Sequence, residues 1–159
     1  MKKSFLKSFL FSFLSFLLLS ASCEKDDTPS ESFSPTTISL EGIDITTSDE
    51  SFTANGFTFK SENAETVSPT FDLQGIALYN GARIELDLSG VSGIKKISVK
   101  IFNNSDPEIK VLSNENVVKE VTTDIPGGIT TVEVNVKGLT IDALSILSYE
   151  ATINSIKLE

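Results

Sequence analysis

Between Arg83 and Leu88 the side chains alternate, with Ile84, Leu86 and Leu88 on one side of an extended chain and Arg83, Glu85 and Asp87 on the other. The same period of two sets Ile97, Val99 and Ile101 against Lys96, Ser98 and Lys100. It also sets Val132, Val134 and Val136 against Thr131, Glu133, Asn135 and Lys137. An amphipathic helix repeats its apolar positions every three to four residues, so a repeat of two confines each stretch to a strand with one buried and one wet face. Further short runs rich in Ile, Val, Thr and Phe cover 37–45, 51–54, 57–60, 75–79, 109–112, 117–123, 144–147 and 152–158. No segment sustains a helical period, and 141–149 fits either period.

The residues between these runs are turn formers. Asn55-Gly56 and Asn80-Gly81 can both take the positive φ of tight hairpin turns, Pro126, Gly127 and Gly128 mark another sharp turn, and 89–93 is a small flexible connection. Ile153 and Ile156 are an odd step apart while Ile156 and Leu158 are an even one, which predicts a β-bulge in the last strand. About ten strands with turns every 8 to 12 residues predict an all-β fold, a single antiparallel β-sandwich.

Ahead of this pattern, Lys2, Lys3 and Lys7 introduce an apolar run from Phe9 to Leu19, broken by Ser12 and Ser15 and followed by Ser20, Ala21, Ser22 and Cys23. That is the charged, apolar and small-residue succession of a secretory signal peptide, over 1–22. The run is shorter than the roughly 20 residues needed to cross a bilayer. Cys23 is the only cysteine, so no disulfide can form within the chain. Its position after Ser20-Ala21-Ser22 resembles the lipobox of bacterial lipoproteins, although Ser20 stands where leucine is usual. The resemblance implies a diacylglycerol, and a further acyl chain such as palmitate, on Cys23. Two or more chains anchor a protein stably where one is marginal.

Glu24, Lys25, Asp26 and Asp27 follow directly and resemble the acidic export signal of lipoproteins of the Bacteroidetes type. This implies an outer-membrane location facing the exterior. The polar, proline-containing stretch after them cannot bury enough surface to offset its ordering entropy. The expected organisation is therefore a signal peptide over 1–22, a lipid-anchored, disordered acidic and Pro/Ser tether over 23–36, with Phe33 exposed, and a β-sandwich over 37–159. The strand succession from Gly42 to Glu159 is similar to the jelly-roll, galactose-binding-like sandwiches of secreted carbohydrate-binding modules.

The residue inventory removes most enzyme chemistry. The chain has no histidine, so Ser-His-Asp and Cys-His machinery and imidazole zinc sites are excluded. It has no glycine-rich phosphate-binding motif. A glycosidase needs only two carboxyl groups, and Glu85 and Asp87 lie about 7 Å apart on one strand face. The same face is also explained by charge pairing with Lys96 and Lys100 across a strand pair. The net charge of −9 disfavours nucleic acid, which requires clustered basic residues.

No cofactor is required; a structural calcium is the one candidate, since oxygen ligands suffice for it. Its candidate ligands are Asn103 and Asp106 in one loop. Glu41 and Glu159 are a second pair, because the resembled modules often bind calcium where first and last strands meet. Glycan sites use aromatic faces. With no tryptophan, and most phenylalanines expected in the core, Tyr79 and Tyr149 are the candidate platforms. These features point to a membrane-anchored, noncatalytic ligand-binding sandwich whose ligand is a glycan. A structural or adhesive subunit with a surface protein partner is the alternative, and a glycoside hydrolase a weaker one.

Overall fold

The computed structural model describes residues 33–67, 73–122 and 128–159. Cys23, Glu24, Lys25, Asp26 and Asp27, the signal peptide and most of the tether lie outside the described residues, as do Phe71, Pro126 and Gly127. Residues Ser32–Glu159 form one compact unit. Phe33 is half-buried against the core rather than exposed, because its ring finds apolar neighbours once the first strand docks.

The described residues form ten strands: β1 (Thr36–Ser39), β2 (Ser51–Ala54), β3 (Phe57–Glu62), β4 (Glu65–Thr66), β5 (Ile76–Asp87), β6 (Lys96–Asn103), β7 (Glu108–Ser113), β8 (Asn116–Thr122), β9 (Gly128–Asn135) and β10 (Ala143–Leu158). All their pairings are antiparallel. The fold is the all-β sandwich that the alternation predicts.

The long strands β5 and β10 organise it by running through both layers. The first half of β10 lies between β5 and β7, and the layer continues through β3 and β2 on one side and β8 on the other. The second half of β10 pairs with β6 and, at its end, with β1, while β9 pairs with β6 at the edge.

Two irregularities keep β10 in register with the core across both layers. Its inward residues are Leu144, Ile146 and Ser148, then Ala151 and Ile153, then Ile156 and Leu158, all nearly inaccessible. Each jump of three residues marks a register shift, the first between Ser148 and Glu150 and the second between Ile153 and Ser155. A bulge adds one residue and so restores the face that an odd step would invert. The bulge expected from Ile153 and Ile156 is therefore present, at Asn154.

Asn55-Gly56 forms the expected two-residue hairpin, with φ of 49° and 82° between the paired residues Ala54 and Phe57. Asn80-Gly81 does not. It lies inside β5, with φ of 55° and 83°, where three residue steps on β5, from Tyr79 to Ala82, face two on β10, from Glu150 to Ser148. The flanking segments both pair with β10 instead of with each other, so the positive φ values bend a strand rather than reverse it. The hairpin between β7 and β8 is turned by Asn114-Glu115, with φ of 49° and 63°.

One apolar core joins both layers. Phe59, Ile84, Leu86, Leu144 and Ile146 meet Ile97, Ile101, Val134 and Ile156 in it, and Phe52 stacks on Phe59 at 4.7 Å. Burying each such side chain contributes about 1.5–3 kcal/mol against chain entropy.

Candidate functional site

On the outer face of the β5–β10–β6–β9 layer, Thr152 is directly opposite Ala77 on one side and Phe102 on the other, and Glu150 is opposite Tyr79. Residues opposite one another in an antiparallel pair share a face. These pairings therefore gather Tyr79, Glu150, Thr152 and Phe102 into one patch. Leu73, from the segment before β5, closes its side, and the result is a recess of about 110 Å³ lined by Leu73, Tyr79, Phe102, Asn104, Glu150, Ala151 and Thr152.

The recess has an apolar body and a polar rim. Tyr79 and Phe102 are half-buried, so their rings are partly open to solvent. At the rim Asn104 Nδ2 donates to Glu150 Oε1 at 2.9 Å, and the Asn104 N–H donates to the Glu150 carbonyl at 3.1 Å. Ser105 holds this corner from beneath: its hydroxyl accepts from the Glu150 N–H at 2.9 Å and lies 3.2 Å from the Ser148 hydroxyl. The rim amide and carboxylate are thus fixed in place while keeping free valences towards solvent.

The loop carrying Leu73 is tied down just as closely. Asn154, in the second bulge, donates through Nδ2 to Glu41 Oε1 and to the Gln74 carbonyl, both at 2.9 Å. Gly75 lies so near β10 that a Cβ there would sit 2.0 Å from the Ile153 carbonyl oxygen.

The other candidates scatter. Tyr149 is 67% exposed and does not line the recess; its ring lies over Gly81, 3.5 Å from where a Cβ would be. Glu41 is engaged with Asn154. Glu159 is at the far end of β10, held by Lys157 at 2.7 Å and Lys96 at 2.9 Å, and those two cations hold its carboxyl below the ordinary 4.5. Glu41 and Glu159 are therefore not brought together. Asn103 is fully buried, its Oδ1 accepting from the Ser105 N–H at 3.1 Å, whereas Asp106 is exposed. Among the described residues no three acidic, histidine or cysteine side chains converge as a metal site would require.

Glu85 and Asp87 share a face, as the alternation requires, but their charge partner differs from expectation. Lys60 on β3 reaches Glu85 at 3.0 Å, because β3 and not β6 flanks this half of β5. That hydrogen bond raises the Lys60 ammonium above its usual range. The Ser89 hydroxyl and N–H hold Asp87 below its own. Both carboxylates border a wide polar groove of about 590 Å³ shared with Asp142 and Glu115. Lys96 pairs instead with Glu133 and Glu159.

No protein-family model and no curated protein matches this chain. Among solved structures it is similar to CBM86, a low-affinity xylan-binding module from the gut symbiont Roseburia intestinalis, with 11% identity over 80% of this chain and 96% of that one and a TM-score of 0.43. It is also similar to CBM51 from Clostridium perfringens GH95, determined in complex with methyl-galactose, with 14% identity over 78% of this chain and 81% of that one and a TM-score of 0.35. At these identities and scores neither likeness carries an argument about ligand.

Phe102 lines the recess although the sequence singles out only the two tyrosines as platforms. The signal was present: it continues the wet positions Lys96, Ser98 and Lys100 of β6. Asn104, Glu150 and Thr152 gave no such signal, because only the pairing of β10 with two neighbours brings them together.

Proposed function

We propose that this protein is a noncatalytic glycan-binding module displayed on the outer membrane by a lipid on Cys23, with Glu24, Lys25, Asp26 and Asp27 as its export signal. One observation supports the binding role above the rest: two half-exposed rings, Tyr79 and Phe102, flank a recess whose rim presents the Asn104 amide and the Glu150 carboxylate. Sugars offer apolar C–H faces and hydroxyls together, and a ring wall with a fixed amide and carboxylate complements both. At about 110 Å³ the recess is well below the ~300 Å³ of pockets that engulf a small molecule, so the binding is shallow and weak. The noncatalytic reading is supported by Glu85, which is bonded to Lys60, and by Asp87, which accepts from the Ser89 N–H at 2.8 Å.

A second reading, an accessory subunit of a surface complex, is favoured by β8. It pairs only with β7 among the described residues and exposes Val117 and Val118 by 49% and 39%. Such an edge can add a partner's strand.

The test is a glycan array with the purified full chain in detergent, with calcium and again with chelator. Hits that vanish in Tyr79→Ala establish the module and its site, and loss in chelator alone assigns the metal. A blank array from folded protein moves the assignment to the partner-binding reading. Incorporation of labelled palmitate that Cys23→Ser abolishes tests the anchor, and undiminished labelling of that variant overturns it.

A further inference from the structure

The recess does not end at Phe102. Directly opposite Phe102 across the β6–β9 pair is Ile129, and its side chain is 53% exposed on the same outer face. Ile129 occupies the wet phase of β9, in line with Thr131, Glu133 and Asn135, where an isoleucine has no core to fill. Thr152, Phe102 and Ile129 thus form one rank perpendicular to three adjacent strands, from the floor of the recess to β9, the last strand of this layer among the described residues.

Among the described residues the surroundings leave one direction for an extended ligand. Leu73 walls the β5 side, and the Asn104–Glu150 bridge closes one end along the strands. Towards the other end the next outward positions are Lys100, Ser155 and Thr131, which are polar. Among the described residues an apolar track continues only across β6 to β9. Strands are about 4.8 Å apart, so β10 to β9 spans about 10 Å, close to the length of two pyranose rings laid end to end.

We infer that the site takes an unbranched, neutral, β-1,4-linked glycan running across the strands, with one sugar in the recess, the next over Phe102 and a third over Ile129. This rests on the glycan-binding reading above and deepens it. A β-1,4 chain whose linkages are equatorial at both ends, as in glucans and xylans, is an extended ribbon, and its apolar faces suit a flat apolar track that a bent or branched chain would leave. A neutral chain is selected because the protein's charge of −9 and Glu150 at the rim repel anionic sugars. Aromatic and apolar ring contacts each add about twofold to tenfold in affinity.

The experiment is calorimetric titration of the full chain in detergent with xylose to xylohexaose and glucose to cellohexaose. In at least one series affinity rises about tenfold or more from monomer to trimer and is flat beyond the tetramer. Ile129→Ser brings the trimer down to the affinity of the dimer, and Val118→Ser, on the distant β8 edge, leaves the length dependence intact. Equal affinity for monomer and trimer, or an Ile129→Ser variant with undiminished trimer binding, overturns the track while leaving glycan binding standing. Failure of both series alongside hits from other glycans on the array also overturns it alone. A blank array removes the underlying reading as well. Binding of an apolar peptide at Phe102 and Ile129 in place of any sugar assigns the strip to a protein partner.

Discussion

Gly75→Ala puts the largest predictable strain into this fold at a position that carries no side chain. The added Cβ falls 2.0 Å from the Ile153 carbonyl oxygen and 2.8 Å from its carbon. Both are backbone atoms of β10, which is hydrogen-bonded on both sides and cannot yield as a side chain can. The φ of 154° adds strain of about 1–3 kcal/mol for a non-glycine residue, and forced displacement in a packed region costs a further ~1–3 kcal/mol.

The expected loss is about 2–6 kcal/mol, a large share of the ~5–15 kcal/mol that stabilises an ordinary domain. Gly90→Ala is the matched control: its φ is 83°, but nothing lies within 4 Å of its Cβ. That substitution loses only the left-handed strain, about 1–2 kcal/mol. Urea unfolding of the two variants separates clash from dihedral strain. If Gly75→Ala is no less stable than Gly90→Ala, the close approach of the Leu73 segment to β10 is refuted, and with it the rigidity of the recess wall.

Three other perturbations have defined outcomes. The carboxyls of Glu159, Asp87 and Asp49 titrate below their ordinary values in the folded chain, through bonds to Lys157 and Lys96, to Ser89 and to Thr46 respectively. Their contribution is therefore complete above the unfolded values of 4.5 and 3.8 and disappears as pH falls through the lower folded ones. Thermal midpoints should drop in that acid range, and Glu159→Gln should flatten the drop; a parallel curve contradicts the assignment. Glu115→Gly relieves a φ of 63° in the β7–β8 hairpin and should stabilise by about 0.5–1 kcal/mol in the same urea assay. Leu144→Ala, at the fully buried start of β10, should cost about 2–5 kcal/mol, and a smaller loss would mean that the two layers do not share one core there.

Strand identity was legible wherever a strand has one wet face, as at Arg83 to Leu88, because burial of one face writes itself as a period of two. It was least legible in β10, which crosses both layers and breaks its period twice. The second break, at Asn154, was visible between Ile153 and Ile156. The first was hidden, because 144–147 and 152–158 read as two separate runs. Asn80-Gly81 carried a true signal for positive φ but none for the course of the chain beyond Gly81, since a bend and a hairpin need the same dihedrals. Tyr79 was identifiable as a half-exposed ring. Its partners were not, because the recess is made by β10 pairing with β5 and β6 at once, a relation between residues some 50 to 70 positions apart.

The central claim is the place of binding, and amide chemical-shift mapping of the labelled protein with its best array glycan tests it most directly. Shifts confined to Tyr79, Phe102, Asn104, Glu150 and Thr152, extending to Ile129 for a longer chain, are the predicted result. Shifts centred on Lys60, Glu85 and Asp142, in the polar groove of the other layer, would contradict it.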